Sequence, residues 1–282
     1  MYQKGFFVKK SDGSFEPFKP EKLILSLIRS GANKEEAQSI TDKIVEIAKD
    51  GIETKKIYSL AHAFLRKYNK KSYFKYSLKK SMLRLGPTGY TFEKYFADVL
   101  KEYGYQTQTN VIEKGKCIKH EIDVLAIKDN KAVTVECKYH STAGRASDAK
   151  VALYIHSRFR DLEDEIKKNY GVDNYEGWLV TNTRFTIDAI NYARCMNFKI
   201  IGWRYPQDGG LEKMIEEKRL YPVTIISGIK ANLAQKLIAN GFVLVQDVAR
   251  ADEKKLKDMF SLTNSQAHKL KNYALDLCNG NL

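Results

Sequence analysis

Apolar residues recur with a period close to two in some stretches and close to 3.6 in others, and these stretches divide the chain into three parts. Residues 1–86 begin with two short strand-like stretches, at 5–10 and 15–18, around the turn-forming residues 11–14. Four helical stretches follow, and the last stops at Gly86 and Pro87. This part is therefore predicted to be a small β-hairpin attached to a helical bundle.

Residues 87–210 mix both periods. A helical stretch ends at Gly104, and three strand-like stretches follow it, at residues 105–111, 118–127 and 132–138. A long helix, a strand, a second helix and a last strand complete this part, and the order αβββαβ predicts an α/β domain. Residues 218–282 show helical spacing alone, interrupted at Gly228 and Gly241, and predict an all-α domain.

Composition adds a strong basic charge to this picture. The 282 residues include 48 Lys and Arg against 34 Asp and Glu, which gives a net charge of +14. Hydrophobic residues make up 43% of the chain, enough to form buried cores. A protein this basic often binds a polyanion such as nucleic acid, although a charge that serves solubility alone is the alternative.

The stretch from Arg66 to Arg84 holds eight basic residues and no acidic one. Four aromatic residues are interleaved with them, namely Tyr68, Tyr73, Phe74 and Tyr76. This combination suits contacts with phosphates and stacked bases. It equally fits an amphipathic helix whose rings face the core and whose lysines face solvent, so both interpretations stay open.

Cysteine spacing and hydropathy exclude several classes of protein. The four cysteines form no CxxC pair, so neither a zinc site nor a disulfide framework is expected. No apolar run approaches the length of a membrane span, and the N-terminus lacks a signal-peptide pattern. We therefore expect a cytoplasmic protein that does not bind membranes.

Three charged residues are placed for chemistry on the two strands that a turn at residues 128–131 joins. If these strands pair as a hairpin, Asp123 converges with Glu136 and Lys138, because alternate residues of a strand share a face. Two carboxylates can hold a hard divalent cation that activates water, and a lysine can stabilise negative charge on a phosphate. The alternative is the solvent-exposed face of an amphipathic sheet.

The array Asp123…Glu136-Cys137-Lys138 resembles the (P)D…(D/E)xK motif of the restriction-endonuclease-like superfamily. With HEIDVL at 120–125 and LVTNTRFT at 179–186, the chain is similar to the catalytic domain of Mrr-type restriction endonucleases over residues 88–204. The resemblance implies a restriction-endonuclease-like αβββαβ core in which Asp123 and Glu136 bind Mg²⁺ or Mn²⁺ and Lys138 is catalytic. It also implies a catalytic role near the metal for Glu93, for which an exposed helix carboxylate is the alternative.

Residues 4–86 are similar to the ATP-cone, a small α-rich regulatory domain that binds nucleotides. The similarity is carried by VKKSDG at 8–13, FEPF at 15–18 and GIET at 51–54. It implies that ATP or dATP is an effector bound by four residues, namely Lys9, Lys10, Lys22 and Thr54. Ser11 stands where the family has arginine, and a nucleotide-free cap or a DNA-contacting module is the alternative. ATP hydrolysis is not expected, because the sequence contains no GxxxxGK[ST] loop.

Residues 222–242 resemble a helix-hairpin-helix repeat, through Ser227-Gly228-Ile229 and the helical pattern that follows. In that family, backbone N–H groups of the hairpin bind DNA phosphates without reading the base sequence. The resemblance implies DNA contacts at Gly228, Lys230 and Lys236. A second hairpin at residues 261–264 lacks the expected glycine and is predicted to serve packing or protein contacts.

These features predict a multidomain α/β protein with domains at residues 1–86, 87–210 and 218–282. The predicted function is metal-dependent cleavage of double-stranded DNA, regulated by ATP or dATP and directed against foreign DNA. Cutting both strands with one site per chain would favour a homodimer. The alternatives are a nucleotide-sensing DNA-binding protein that does not cut, and regulation of the ribonucleotide-reductase type, which no zinc-finger or reductase cysteine pattern supports.

Overall fold

The computed structural model describes residues 6–10, 12–86 and 88–280, without the side chains of residues 68, 70, 71 and 75. The predicted strand start at Gly5, the turn residue Ser11, the helix stop at Pro87 and the ring of Tyr68 lie outside this description. The described chain divides into two compact units, one within residues 6–80 and the other within residues 81–280.

The first unit combines a small mixed sheet with four helices. Its strands are β1 (Phe7–Lys9), β2 (Phe15–Pro17) and β3 (Ile52–Glu53). The central strand β1 is antiparallel to β2 and parallel to β3. The helices are α1 (Pro20–Arg29), α2 (Lys34–Ile47), α3 (Thr54–Tyr68) and α4 (Lys70–Met82). The predicted hairpin and helices are confirmed, whereas β3 was not predicted because a strand of two residues carries no readable period.

Local signals and core packing explain these helices. Pro20 starts α1, where its missing N–H has no helical partner to lose. Asn33 caps α2 in a capping box with Glu36. Tyr76 is buried in the core of this unit and Tyr73 packs against that core. These rings therefore serve packing, which favours the amphipathic-helix interpretation of the basic stretch over stacking on bases.

The second unit begins with an α/β part. Its elements, in chain order, are α5 (Tyr90–Glu102), β4 (Gln106–Lys114), β5 (Lys119–Lys128), β6 (Lys131–Lys138), β7 (Ala146–Ser147), α6 (Ala149–Tyr170), β8 (Asn174–Thr181), β9 (Arg184–Phe185), α7 (Ile187–Cys195), β10 (Lys199–Ile201) and α8 (Leu211–Lys218). Five strands form one sheet in the order β10-β8-β6-β5-β4, antiparallel from β4 to β6 and parallel from β6 to β10. The predicted αβββαβ order is confirmed; helix α8 and the short β7–β9 pair were not predicted.

The all-α part of the second unit follows a short 3-10 helix (Val223–Ile225). Its helices are α9 (Ala231–Ala239), α10 (Val245–Arg250), α11 (Glu253–Phe260) and α12 (Asn264–Asn279). The Tyr95 hydroxyl of α5 donates to the Leu220 carbonyl at 2.7 Å, and the Thr224 hydroxyl donates to the Ser81 carbonyl at 2.8 Å. The first bond ties α5 to the segment that leads into the all-α part. The second ties the 3-10 helix to the last turn of α4, whose residues from Ser81 onward belong to the second unit. Among the described helices, none is both long and apolar enough for a bilayer crossing.

Helix α6 packs on the sheet above a residue that has no side chain. The apolar face of this helix consists of Ala152, Ile155, Phe159, Leu162 and Ile166. Phe159 lies directly over Gly177 of β8, where a Cβ atom would be 2.2 Å from the ring. Glycine is therefore required at this position by the close approach of the ring.

We expect Gly177→Ala to lower the free energy of unfolding by roughly 3 kcal/mol, because the added methyl forces Phe159 out of its place in the core. Urea unfolding would measure the change. Gly202→Ala is the matched control, since a Cβ atom there meets Phe185 at 3.4 Å, close to an ordinary contact. Equal losses in the two variants would contradict this account of α6 packing.

Candidate active site

The hairpin of β5 and β6 brings the predicted acidic pair together. Its two loop residues, Asp129 and Asn130, both have positive φ, as the tight turn favoured by right-handed strand twist requires. This turn sets a register that runs from Lys128↔Lys131 to Val124↔Val135. The next pair in the same register is Asp123 and Glu136. Residues directly opposite on antiparallel strands share a face, so the predicted convergence of these carboxylates follows from the hairpin.

The two strands separate at this acidic pair. The β5–β6 pairing stops at Val124↔Val135, whereas β6 stays paired with β8 as far as Lys138↔Thr181. At the opening, the Cys137 backbone N–H donates to Asp123 Oδ2 at 2.7 Å, so a carboxylate replaces the missing strand partner. The active-site opening, defined here as the gap between β5 and β6 beyond Val124, is therefore lined by acidic side chains.

The pKa of Asp123 is strongly shifted by its surroundings. Burial, and after it the negative charge of Glu136, raise the pKa of Asp123 to about 7, against the opposing effect of the Cys137 N–H. A cation placed between Asp123 and Glu136 would stabilise the ionised form of this carboxyl group.

Glu136 is buried, with 6% of its surface exposed, and two cations hold its carboxylate. Lys138 Nζ lies 2.5 Å from Oε1, and Arg158 Nη1 lies 2.6 Å from Oε2. Arg158 also donates through Nη2 to the backbone carbonyl of Glu121 on β5. The structure thus brings together Glu136 and Lys138, as predicted, and adds an arginine that was not predicted.

A signal for Arg158 is present in the sequence. It lies three residues after Ile155 and four before Leu162, so it falls on the apolar face of α6. A charged residue at such a position is rarely buried without a partner of opposite charge. The pattern therefore indicates a buried acidic partner, but it does not identify Glu136.

Glu93, in the first turn of α5, is half-buried rather than exposed. Asn110, which stands in the β4 register opposite Asp123 with φ of 54°, donates its amide to Glu93 at 3.4 Å and to Glu121 at 3.2 Å. Burial raises the pKa of Glu93, and the charges of Glu121 and Glu136 raise it further. Glu93 therefore belongs to the same acidic cluster. This contradicts the alternative that it is an exposed carboxylate on the helix surface.

Buried polar residues after β8 hold the chain that follows Lys138. The Thr181 hydroxyl donates to the Lys138 carbonyl at 2.6 Å. The Asn182 side chain accepts from the His140 N–H at 2.9 Å and donates to the His140 carbonyl at 2.8 Å. Both side chains are fully buried, so the end of β6 is anchored from the neighbouring strand.

The donor set of this site fits a hard divalent cation. Mg²⁺ is commonly bound in proteins by one or two carboxylates with several waters retained, and Asp123 and Glu136 supply such a pair. Across the part of the chain that the structure describes, no three His, Cys, Asp or Glu side chains are arranged as a metal site. The fit therefore rests on the carboxylate pair and on the charge that raises the pKa of Asp123.

The first unit contains a separate cleft of about 200 Å³. Lys22 and Thr54, two of the predicted nucleotide contacts, are among the residues that line it. Glu16 forms ion pairs with Lys10 at 2.7 Å and with Lys22 at 3.4 Å at this cleft. Lys9 is not among the lining residues. Lys10 does not line the cleft either, but its ion pair with Glu16 brings its ammonium to the edge of the cleft. The structure thus places Lys22 and Thr54 in the cleft and Lys10 beside it, with Lys9 outside the lining.

A cleft of about 810 Å³ in the all-α part is lined by two hairpins. Gly228, Lys230 and Lys236 line it from the first hairpin and the helix after it. Ser261, in the second hairpin, has a φ of 54° where Gly228 has 76°, and each lies three residues before the next helix begins. The second hairpin thus has a residue with positive φ at the matching position, although this residue is a serine and not the glycine expected of a helix-hairpin-helix repeat.

Comparison with protein families gives three adjacent matches. Residues 6–84 match the ATP cone domain, residues 86–207 match a restriction endonuclease catalytic domain, and residues 221–278 match the C-terminal domain of AF1548-like proteins. The chain therefore carries a restriction-endonuclease-like domain after an ATP cone, which confirms the two resemblances stated for these regions. The third match leaves the helix-hairpin-helix assignment a prediction.

Individual relatives define the family more closely. The chain is 38% identical over 163 residues to an uncharacterized protein of Archaeoglobus fulgidus, a match that spans 58% of this chain and 88% of that protein. The crystal structure of AF1548, a protein of unknown function, is similar at a TM-score of 0.56 and 35% identity, over 68% of this chain and 100% of that one. The chain therefore belongs to the AF1548-like family.

A more distant likeness involves a structure with bound nucleic acid. The MspJI restriction endonuclease in complex with a 27-mer oligonucleotide aligns at a TM-score of 0.31 and 10% identity, over 83% of this chain and 48% of that one. A likeness of this size carries no argument about the site.

We expect Asp123→Asn to remove a decline in stability with rising pH. Between about pH 4 and 7 the folded wild-type chain retains a proton on Asp123 that the unfolded chain has lost, so its stability falls across that window. The variant lacks this fall and should be more stable than wild type by roughly 1–4 kcal/mol at pH 8, with the smallest difference at pH 4.

Urea unfolding with a metal chelator present, at several pH values, would measure this. Asp188→Asn, which changes an exposed carboxylate at the start of α7, serves as control and should leave the pH profile of wild type unchanged. A variant that loses stability in parallel with wild type from pH 4 to 8 would refute the role given to Asp123.

Proposed function

We propose that this protein is a metal-dependent DNA endonuclease whose site is formed by Asp123, Glu136 and Lys138, with Glu93 beside them. The main support for the proposal is the β5–β6 register within a restriction endonuclease domain: continued one pair beyond Val124↔Val135, it sets Asp123 opposite Glu136, and the Cys137 N–H at Asp123 keeps the two strands together there. Lys138 lies two residues beyond Glu136 on the same face of β6, and its ammonium forms an ion pair with that carboxylate.

The arrangement supplies what phosphodiester hydrolysis needs. A divalent cation, Mg²⁺ or Mn²⁺, held by Asp123 and Glu136 would lower the pKa of a bound water and polarise the phosphate. The Lys138 ammonium can then leave Glu136 and stabilise negative charge on the phosphate. Asn182 and Thr181 hold the backbone on which Lys138 is carried, which fixes the approach of the ammonium.

Double-stranded DNA is the substrate that the rest of the molecule favours. The chain has a net charge of +14, and the cleft of the all-α part carries Lys230 and Lys236 beside two hairpins of matching backbone shape. Hairpins that present backbone N–H groups with lysines bind phosphates without base readout. The proposal includes a homodimer to cut both strands, and action on foreign DNA in the cytoplasm.

ATP or dATP is the proposed effector, bound in the cleft of the first unit by Lys10, Lys22 and Thr54. The ATP cone match covers this cleft, and its lysines are paired with the single carboxylate of Glu16. A triphosphate carries more negative charge than one carboxylate and would compete for both ammonium groups. It regulates cleavage only if it binds two states of the protein with different affinity.

A second function is favoured by one observation. Both oxygens of Glu136 are held by cations, as in a site that no longer recruits a metal. In that case the chain is a nucleotide-sensing DNA-binding protein that does not cut.

We expect purified protein to nick or linearise supercoiled plasmid with Mg²⁺ or Mn²⁺. Lys138→Met should slow cleavage by roughly 100-fold or more, because no ammonium then stabilises the negative charge on the phosphate. Glu136→Gln should act similarly. Lys213→Met, which removes an exposed lysine paired with Asp208 outside the sheet, is the matched control and should cut like wild type.

Agarose gels with and without ATP or dATP would provide the measurement, with DNA binding followed in parallel. Binding without cleavage under every condition would favour the sensor. Cleavage by Lys138→Met at the wild-type rate would refute the proposed site.

We expect Lys22→Ala to weaken ATP binding by roughly tenfold, because one charge-assisted contact to phosphate is lost. Lys9→Ala is the matched control and should bind like wild type, since Lys9 neither lines the cleft nor pairs with Glu16 as Lys10 and Lys22 do. Isothermal titration calorimetry on the full chain would measure both. A larger loss in Lys9→Ala than in Lys22→Ala would show that the nucleotide lies elsewhere.

A further inference from the structure

Arg158 spans the active-site opening from the α6 side. One nitrogen of its guanidinium donates to Glu136 on β6 and the other donates to the Glu121 carbonyl on β5. The strands have no backbone pairing at this level, so Arg158 links them where the ladder has ended. Only 16% of the Arg158 side chain is exposed, which places this contact largely out of water.

The contact occupies an oxygen that a metal would need. Lys138 holds Oε1 of Glu136 and Arg158 holds Oε2, at 2.5 and 2.6 Å. A divalent cation between Asp123 and Glu136 therefore competes with these two cations for the carboxylate, since like charges repel at this distance. Asp123 itself accepts one backbone hydrogen bond and has no cation within ion-pair distance among the described residues, so the competition is over Glu136.

We propose that Arg158 competes with a divalent metal for Glu136, and that the metal binds by displacing the Arg158 guanidinium from this carboxylate. The inference rests on the proposed function, because it assigns Glu136 as a metal ligand. Arg158 is a positioning residue in this scheme: it holds Glu136 opposite Asp123 until the metal arrives, and it lowers the affinity for that metal.

Arg158 rather than Lys138 is the group that competes. Lys138 is carried two residues further on the strand of Glu136, and a single flexible ammonium can move aside while staying in the site. The planar guanidinium of Arg158 is held at two points, so it leaves the site as a unit or not at all. Its removal leaves Glu136 paired with Lys138, so the fold retains a partner for this buried carboxylate.

The test compares Mn²⁺ binding by wild type and Arg158→Met, titrated calorimetrically on the full chain without DNA. The variant should bind Mn²⁺ roughly tenfold more tightly, because the ion no longer displaces a cation. Arg160→Met is the matched control: it removes the same charge from the same helix, but Arg160 pairs with Glu163 and not with Glu136. Its Mn²⁺ affinity should equal that of wild type.

The outcomes separate the inference from the proposed function. Unchanged or weaker Mn²⁺ binding in Arg158→Met, with binding intact in wild type, overturns the inference alone. An equal gain in Arg160→Met also overturns it, since general charge would then explain the effect. Absence of Mn²⁺ binding in wild type and both variants overturns the proposed metal site together with the inference.

A measurement on the unmutated chain covers the case in which Arg158→Met does not fold. Rotation about the Cζ–Nε bond of a guanidinium held at two points is slow, and it can be followed by nitrogen NMR of the arginine side chains. Saturation with Mg²⁺ should accelerate this rotation for Arg158 and leave Arg160 unchanged. Slow rotation of Arg158 in the presence of bound Mg²⁺ would overturn the inference.

Discussion

The register of β5 against β6 is the constraint on which the candidate site depends. Two left-handed residues, Asp129 and Asn130, close the hairpin and set that register. A shift of one residue would carry Asp123 to the opposite face of the sheet from Glu136, since side chains alternate along a strand. The tight turn thus determines, several residue pairs away, whether two carboxylates meet.

The pairing creates an excess of negative charge that the protein balances with its own cations. Asp123 responds by a raised pKa, whereas Glu136 is held by Lys138 and Arg158. Buried ion pairs of this kind contribute little to stability, because both charges lose their hydration. Their placement at the point where two strands separate is better understood as preparation of a site than as support of the fold.

Each compact unit carries a cleft with a chemistry of its own. In the first unit, lysines face a single acidic residue, Glu16, in the region that matches an ATP cone. In the second, two hairpins with left-handed residues at matching places share a lysine-lined cleft, while the acidic cluster lies in the sheet. The proposed nucleotide-responsive nuclease activity rests on these three features.

The sequence by itself determined the longer helices and strands except α8, the αβββαβ order and the Asp123, Glu136 and Lys138 array, because these depend on short-range periodicity and turn chemistry. The two-residue strands β3, β7 and β9 are too short to show a period. Only the tertiary structure decided which side chains share a site. Arg158 reaches Glu136 across 22 positions of the chain, and Asn110 reaches both Glu93 and Glu121. Likewise, Lys9 does not line the cleft of the first unit, and Ser261 has a positive φ like Gly228. Such contacts depend on how distant segments pack, which residue spacing along the chain does not encode.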